Sequence, residues 1–214
     1  MIETVKTPGK FITLEGGDGS GKSTQAKQLA AFLEDQGKEV VLTREPGGAP
    51  GSDDIRQLIL TGDPDRWDVI GETLLFYASR RNHLRLTIWP ALAAGKWVIS
   101  DRFADSTIAY QGYGNQMGVD EVRKIHDVTV GEFEPDLTYI LDIDVKAGIN
   151  RTLGRDHDED RFERMDLSFH ERTRQGFFQI AKENSHRCVI INSDRNIEVI
   201  QTEMRTILKD RYFG

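Results

Sequence analysis

A chain of 214 residues with 38% hydrophobic and 29% charged side chains suits one large α/β domain and is ordinary for a globular protein. Its formal net charge of −7 repels polyanions and sets DNA and RNA aside as partners, whereas small phosphorylated ligands need only local clusters of Arg and Lys. The longest apolar stretch, Thr87 to Ala94, is too short for a membrane span, the N-terminus lacks a signal peptide's apolar core, and Cys188 is alone, so a cytoplasmic chain is expected.

The first apolar run, Phe11–Glu15, reads as a buried strand that leads into Gly16-Gly-Asp-Gly-Ser-Gly21-Lys22-Ser23. The spacing Gly-x-x-x-x-Gly-Lys-Ser is a complete phosphate-binding loop. Glycines let the chain turn back with bare N–H groups against phosphate oxygens, and the following helix points its positive end at the anion. Gly16, Gly17, Asp18, Gly19, Ser20, Gly21, Lys22, Ser23 and Thr24 are therefore expected to hold ATP. Lys22 would lie on the β- and γ-phosphates and the Ser23 hydroxyl beside Mg2+. Ala26, Leu29, Ala30 and Leu33 mark the apolar face of the helix, which Gly37 closes.

Val40–Thr43 reads as a second strand, followed by the turn-rich Arg44-Glu-Pro-Gly-Gly-Ala-Pro-Gly51. Ser52-Asp-Asp-Ile-Arg predicts a capped helix start, with the helix running to Gly62. Asp68-Val-Ile-Gly71 spells one GTPase motif, but no apolar strand precedes it and no Asn-Lys-x-Asp base reader occurs, so a GTPase is set aside. Thr73 to about Leu92 has helical spacing interrupted at Pro90, and Phe76 and Arg80 share one face of it. That pair suits a planar base, with a ring to stack on and a guanidinium for a keto oxygen; it equally suits core packing beside a surface Arg. A third strand, Trp97–Ser100, ends at Asp101-Arg102, where ligands gather in parallel sheets. Asp101 is a candidate to support Mg2+ and Arg102 to clamp an acceptor phosphate, against the plainer reading of a surface ion pair. Ser106-Thr-Ile-Ala-Tyr-Gln-Gly112 offers hydroxyl and amide groups to a base or sugar.

A helix over Asp120–Gly131, strands over Leu137–Asp142 and Cys188–Asn192, and a helix over Asn196–Leu208 complete an alternation that argues for a doubly wound, mostly parallel sheet. Cys188 reads as a buried structural thiol. Arg151 to Arg174 stands outside the rhythm with arginines and carboxylates intermixed. Such a run is either a solvated helix surface or, beside a phosphate loop, a lid that carries Arg onto a transferring phosphate.

The phosphate loop, Arg44-Glu-Pro-Gly-Gly48, Leu74-Leu-Phe-Tyr-Ala-Ser-Arg80, Asp101-Arg-Phe103, Ser106-Thr-Ile-Ala-Tyr-Gln-Gly112 and Asp160-Arg-Phe-Glu163, in this order, resemble thymidylate kinase. The resemblance implies an α/β, P-loop nucleoside monophosphate kinase-like fold, with a five-stranded parallel sheet flanked by helices. It implies a single kinase domain over residues 1–214, with an acceptor-binding region at about 44–115 and a lid at about 148–166. The implied reaction is ATP + dTMP → ADP + dTDP with Mg2+, in a homodimer that engages neither nucleic acid nor membrane. Phe76 would stack on thymine, Arg80 bond its 4-keto oxygen, and Arg102 hold the acceptor phosphate with Arg44 nearby. Asp18 would meet the sugar 3′-hydroxyl, Ser106, Thr107 and Gln111 would line the pocket, and Tyr110 would crowd a 2′-hydroxyl. Ser23 and Asp101 would attend the metal. The loop carries no Arg, so the resemblance is to the bacterial kind whose lid supplies it, with Lys22, Arg102, Arg151 and Arg155 as catalytic candidates. A kinase of another nucleoside monophosphate and a non-catalytic ATP-dependent switch are the alternatives.

Overall fold

The computed structural model describes residues 9–152 and 161–213. Five strands form one parallel sheet in the order β2-β3-β1-β4-β5: β1 Phe11–Glu15, β2 Val40–Arg44, β3 Trp97–Asp101, β4 Leu137–Asp142 and β5 Cys188–Asn192. The central strand β1 is buried along its whole length, and alternate residues serve opposite faces of the sheet. Ile12 and Leu14 pack with Ile99 and Tyr139 against α1 (Lys22–Asp35), through Leu29 and Leu33, and against α9 (Ile197–Tyr212), through Met204 and Leu208. Phe11 and Val98 face the other way, onto Tyr77, Leu84, Ile88 and Val122.

The helices of this second face carry the differences from the sequence expectations. α2 (Pro50–Leu60) begins at Pro50, and Ser52 does not cap it; its hydroxyl donates to the Ser79 carbonyl at 2.8 Å and fastens α2 to α3. Proline at a first helical position is preset for the turn and needs no N–H. α3 (Val69–His83) starts earlier than Thr73 because Asp68 caps it, accepting from Gly71 N at 2.6 Å. That bond accounts for the Asp-x-x-Gly spelling. The rod continues through a π-helical turn, Leu84–Ile88, into α4 (Trp89–Ala93), whose first turn accommodates Pro90.

After β3 come α5 (Ala104–Thr107), a π-helical segment Ile108–Gly114, α6 (Val119–Thr129) and, beyond β4, α7 (Val145–Thr152). The second half of the charged stretch is a helix, α8 (Leu167–Glu183), capped by Asp166. Its buried stripe of Phe169, Thr173, Phe177 and Ile180 packs on Tyr110 and Phe162. Cys188 is buried, and that burial pushes its thiol up to about 12. No helix among the described residues is long and apolar enough to cross a membrane.

Candidate active site

The phosphate loop leaves β1 and opens α1, whose first turn no side chain caps, so its N–H groups remain turned toward an anion. Gly16 sits at φ 130°, where an added Cβ would stand 2.3 Å from the Leu141 carbonyl oxygen. The buried Lys22 ammonium donates to the Gly16 and Gly17 carbonyls at 3.1 and 2.7 Å and to Ser20 Oγ at 3.3 Å. Burial pushes the Lys22 amine down to about 8, and repulsion from Arg102 adds to the shift. Ser23 Oγ donates to the Asp101 carboxylate at the end of β3.

Arg102 follows in a left-handed backbone conformation, φ 74°, which a side chain with Cβ adopts only when its surroundings hold it. They do so on both sides. Arg102 N donates to the Leu14 carbonyl at 2.9 Å, and the Arg102 carbonyl accepts from Ser100 Oγ at 2.7 Å. The next N–H, of Phe103, donates to Glu15 Oε1 at 2.7 Å, while Ser106 Oγ donates to Glu15 Oε2 at 2.5 Å. Burial, reinforced by the charge of Asp105, pushes the Glu15 carboxyl up to about 8.

The guanidinium held in this way donates to Asp18 Oδ1 at 2.6 Å, Gly16 O at 2.9 Å, and Ser106 Oγ and Tyr110 Oη at 3.0 Å each. Tyr110 Oη donates in turn to Asp18 Oδ2 at 3.1 Å. Burial alone would raise the Asp18 carboxyl, but Arg102 and Lys22 outweigh it and hold Asp18 below the usual carboxylate range.

Above this polar floor lies a cavity of about 480 Å3, with α3 as its far wall. Arg80 is only 2% exposed there. Its Nε donates to Glu45 Oε2 at 2.7 Å, and its Nη2 to the Phe103 carbonyl at 3.0 Å and Thr107 Oγ1 at 3.1 Å. Gln111 Nε2 donates to Glu72 Oε1 at 2.8 Å. One buried atom of each side chain, Arg80 Nη1 and Gln111 Oε1, has no hydrogen-bond partner. Phe76 lies with its ring centroid 5.9 Å from that of Phe162. The Arg44–Gly48 loop is held close to α3, and a Cβ at Gly48, φ 82°, would come within 2.4 Å of His83 Nε2 and Thr43 Oγ1.

A family model described as Thymidylate kinase matches residues 14–204. The chain belongs to the thymidylate kinase family. It is 49% identical over 200 residues to the thymidylate kinase of Ruegeria pomeroyi, covering 94% of each chain. It is 50% identical over 188 residues to that of Dinoroseobacter shibae, covering 88% of this chain and 90% of the relative. The crystal structure of thymidylate kinase from Ehrlichia chaffeensis matches with a TM-score of 0.77 and 37% identity, over 94% of this chain and 99% of that one. The five-stranded parallel sheet flanked by helices is thus the thymidylate kinase fold, as the sequence motifs imply.

Within that fold, Asp18, Gly19, Gly21, Lys22, Ser23, Thr24, Arg44, Phe76, Arg80, Asp101, Arg102, Ser106, Thr107, Tyr110 and Gln111 all line the one cavity. Gly16, Gly17 and Ser20 lie beneath it and hold Lys22. The plainer readings of two pairs do not hold: Arg80 is no surface residue, and Asp101 and Arg102 turn to Ser23 and Asp18 and do not pair with each other.

Arg151, at the end of α7, is exposed and does not line the cavity. Its guanidinium donates to Asp194 Oδ1 at 2.8 Å and the Ser193 carbonyl at 3.2 Å, in the turn after β5. Arg155 lies outside the described residues. Arg161 is buried and donates to Glu72. Arg172 donates to the Gly114 carbonyl, and Arg174 binds Asp142 through two nitrogens. Arg161, Arg172 and Arg174 are therefore tied into the domain, while Arg164 and Asp166 remain exposed.

Sequence reasoning passed over Glu15, Glu45, Glu72 and Phe162. One signal was available: Glu72, Phe76 and Arg80 follow at intervals of four, which puts the carboxylate on the helix face that carries the other two.

Proposed function

We propose that the chain transfers the γ-phosphoryl group of ATP to dTMP within this single cleft, as a kinase domain with its acceptor region at about 44–115 and a lid at about 148–166. Family membership supplies the reaction: the chain is a dTMP kinase that uses ATP. The observation that carries the residue assignments is the pair of buried, unpartnered atoms on the cavity wall, the donor Arg80 Nη1 and the acceptor Gln111 Oε1. Thymine offers the complementary edge, a C4 carbonyl beside an N3–H, and each partner left alone would cost about 1–3 kcal/mol. Phe76 provides the ring beneath the base.

Arg102 receives the acceptor phosphate with Arg44 at the cavity mouth, and Asp18 meets the sugar 3′-hydroxyl. The acceptor is a monoester whose second pKa is about 6, so it is mostly a dianion at neutral pH and needs no general base. The chain's task is positioning and charge neutralisation, by Lys22 in the loop, by Arg102 on the acceptor, and by a lid Arg for which Arg155 is the candidate. Arg151 belongs to the adenine side, at the Ser193–Asp194 turn.

The oxygen ligands Ser23 and Asp101 fit Mg2+, which takes one or two protein ligands together with substrate phosphates. Among the described residues no cluster of three or more His, Cys, Asp or Glu forms a dedicated metal cage. Bound there, Mg2+ would neutralise charge on the β- and γ-phosphates. A cytoplasmic homodimer completes the proposal; the exposed Ile70 and Leu74, one turn apart on α3, suit burial against a second copy.

A panel of acceptors tests this reading, with dTMP, dUMP, dCMP, dGMP and AMP assayed for ADP release under one set of conditions. Preferred turnover of dTMP is expected. Preference for another acceptor, or ATP binding without acceptor-dependent turnover, would refute it.

A further inference from the structure

Gln111 lines the cavity with its carboxamide oxygen unpartnered, and a carboxamide can present either end. The two ends have the same shape, so packing does not choose between them; the hydrogen-bond partners do. The partner behind Gln111 is Glu72, which is 1% exposed. A carboxylate paired with a guanidinium only accepts, so it must take Gln111 by its nitrogen. The nitrogen lies 2.8 Å from Glu72 Oε1, and the carboxamide oxygen of this cavity-lining residue is left buried and without a partner. Asn115 Nδ2 donates to the same oxygen at 3.1 Å. Glu72 Oε2 accepts from Arg161, itself buried and further fixed to the Asp63 and Ile59 carbonyls.

We infer that Glu72 is a positioning residue that sets the keto-over-amino preference of the acceptor site, by fixing which end of Gln111 faces the base. The inference rests on the base-reading assignment made above and adds what enforces it. With Glu72 in place, the wall offers a donor from Arg80 and an acceptor from Gln111. Cytosine, with an amino group at C4 and a bare N3, opposes both. Thymine matches both.

Glu72→Gln keeps the shape and reverses the sense. Arg161 has only donors, so it claims the oxygen of the new carboxamide. Its nitrogen then faces Gln111 and Asn115, whose nitrogens can no longer donate there. The Gln111 carboxamide turns over, its oxygen accepts from position 72, and its nitrogen enters the cavity. The wall becomes donor beside donor, wrong for thymine N3–H and right for cytosine N3.

The experiment measures kcat/KM for dTMP and dCMP, with KM for ATP, in the wild type, Glu72→Gln and Glu72→Gln/Gln111→Glu. In the double variant the carboxamide at 72 donates to a carboxylate at 111, which again shows the base an acceptor. The expected result is a dTMP:dCMP preference at least about tenfold lower in Glu72→Gln, KM for ATP unchanged, and the preference recovered in the double variant. A merely structural role would lower both acceptors together and leave the ratio alone; an unchanged ratio in Glu72→Gln overturns the inference. If Glu72→Gln does not fold, the double variant decides: a retained preference supports the inference and a lost one overturns it. A wild type that does not prefer dTMP over dCMP would instead refute the base-reading assignment.

Discussion

Lys22 is the position where pH separates binding from turnover most sharply. Its ammonium is buried among the loop's carbonyls, and its pKa falls from 10.5 to about 8 through burial and the nearby Arg102 guanidinium. The drop corresponds to roughly 3 kcal/mol of penalty on the charged form. ATP phosphates remove that penalty, because they add several negative charges to those of Asp18, Asp101 and Glu15 nearby. In the free enzyme, Lys22 is mostly protonated at pH 7 and only about one-tenth protonated at pH 9. Since kcat/KM reports free-enzyme ionisations, kcat/KM for ATP falls about tenfold per pH unit above pH 8. In the ternary complex the phosphates raise the Lys22 pKa again, so kcat stays level across the same range. Initial rates of dTDP formation, followed by chromatography from about pH 6.5 to 9.5 with ATP varied, at low dTMP for kcat/KM and at saturating dTMP for kcat, test both limbs. Lys22→Arg carries a charge that does not titrate, and is expected to show a lower plateau without the limb at pH 8. A kcat/KM for ATP that is level through pH 9.5, or a kcat that falls in parallel with it, would refute the reasoning.

Arg102→Ala is expected to raise KM for dTMP about 10- to 100-fold, the scale of a lost charged hydrogen-bond pair, and to leave KM for ATP within a few-fold. Because Arg102 depresses Lys22, the alkaline limb in the same variant moves to higher pH; equal effects on both substrates would count against the acceptor clamp. Tyr110→Phe empties the space of a hydroxyl at the sugar and is expected to lower the deoxyribo-over-ribo preference about tenfold, measured with dTMP and its ribo-analogue. An unchanged preference would assign sugar reading elsewhere. Glu15 has its folded pKa raised, from 4.5 to about 8, so its contribution to stability is complete below about pH 4.5 and is lost as pH rises through about 8. Glu15→Gln, neutral throughout, removes that loss. Its stability relative to wild type should rise between pH 5 and 9 by on the order of a few kcal/mol, and parallel denaturation profiles would exclude a titrating Glu15.

The strands and the phosphate loop are legible because their signals are local. An apolar run of five residues before Gly-x-x-x-x-Gly-Lys-Ser admits few structures, and Phe11–Glu15 appears with the same bounds. Arg80 and Phe76 are legible for a related reason, a spacing of four on a helix. α8 is obscured because Glu171, Arg172 and Arg174 dominate its composition, while its apolar residues recur at Phe169, Phe177 and Ile180 around a buried Thr173. Ser52 misleads because a hydroxyl before two acids resembles a cap, yet its partner is the Ser79 carbonyl 27 residues on. Charge alone gives Arg151 no direction, and the structure turns it to the Ser193–Asp194 turn. What holds the site together is the least legible part, since the partners are far apart in the chain: Glu15 meets Phe103 and Ser106 at separations of 88 and 91, and Glu72 meets Arg161 at 89.

Those remote partners share a logic. Glu15 fixes the turn that aims Arg102, Glu45 takes Arg80 Nε at 2.7 Å, and Glu72 holds Gln111 by its nitrogen. Each is at most 4% exposed, and each stands one bond behind a side chain assigned to the acceptor. Burying a carboxylate costs several kcal/mol and is sustained only by full pairing, which makes it a poor choice for stability alone. Its use lies in polarity. A hydroxyl or carboxamide can donate or accept and leaves its neighbour's orientation open, whereas Glu45 and Glu72, each paired with a guanidinium, accept only and permit one arrangement of every donor they touch. Arg80 then has a single nitrogen left for the base, and Gln111 a single oxygen. Discrimination between acceptors whose base edges exchange donor for acceptor requires such fixed polarity, because a wall free to reorient would satisfy either base. Glu45 and Glu72 thereby convert a pocket of suitable shape into one of suitable sign.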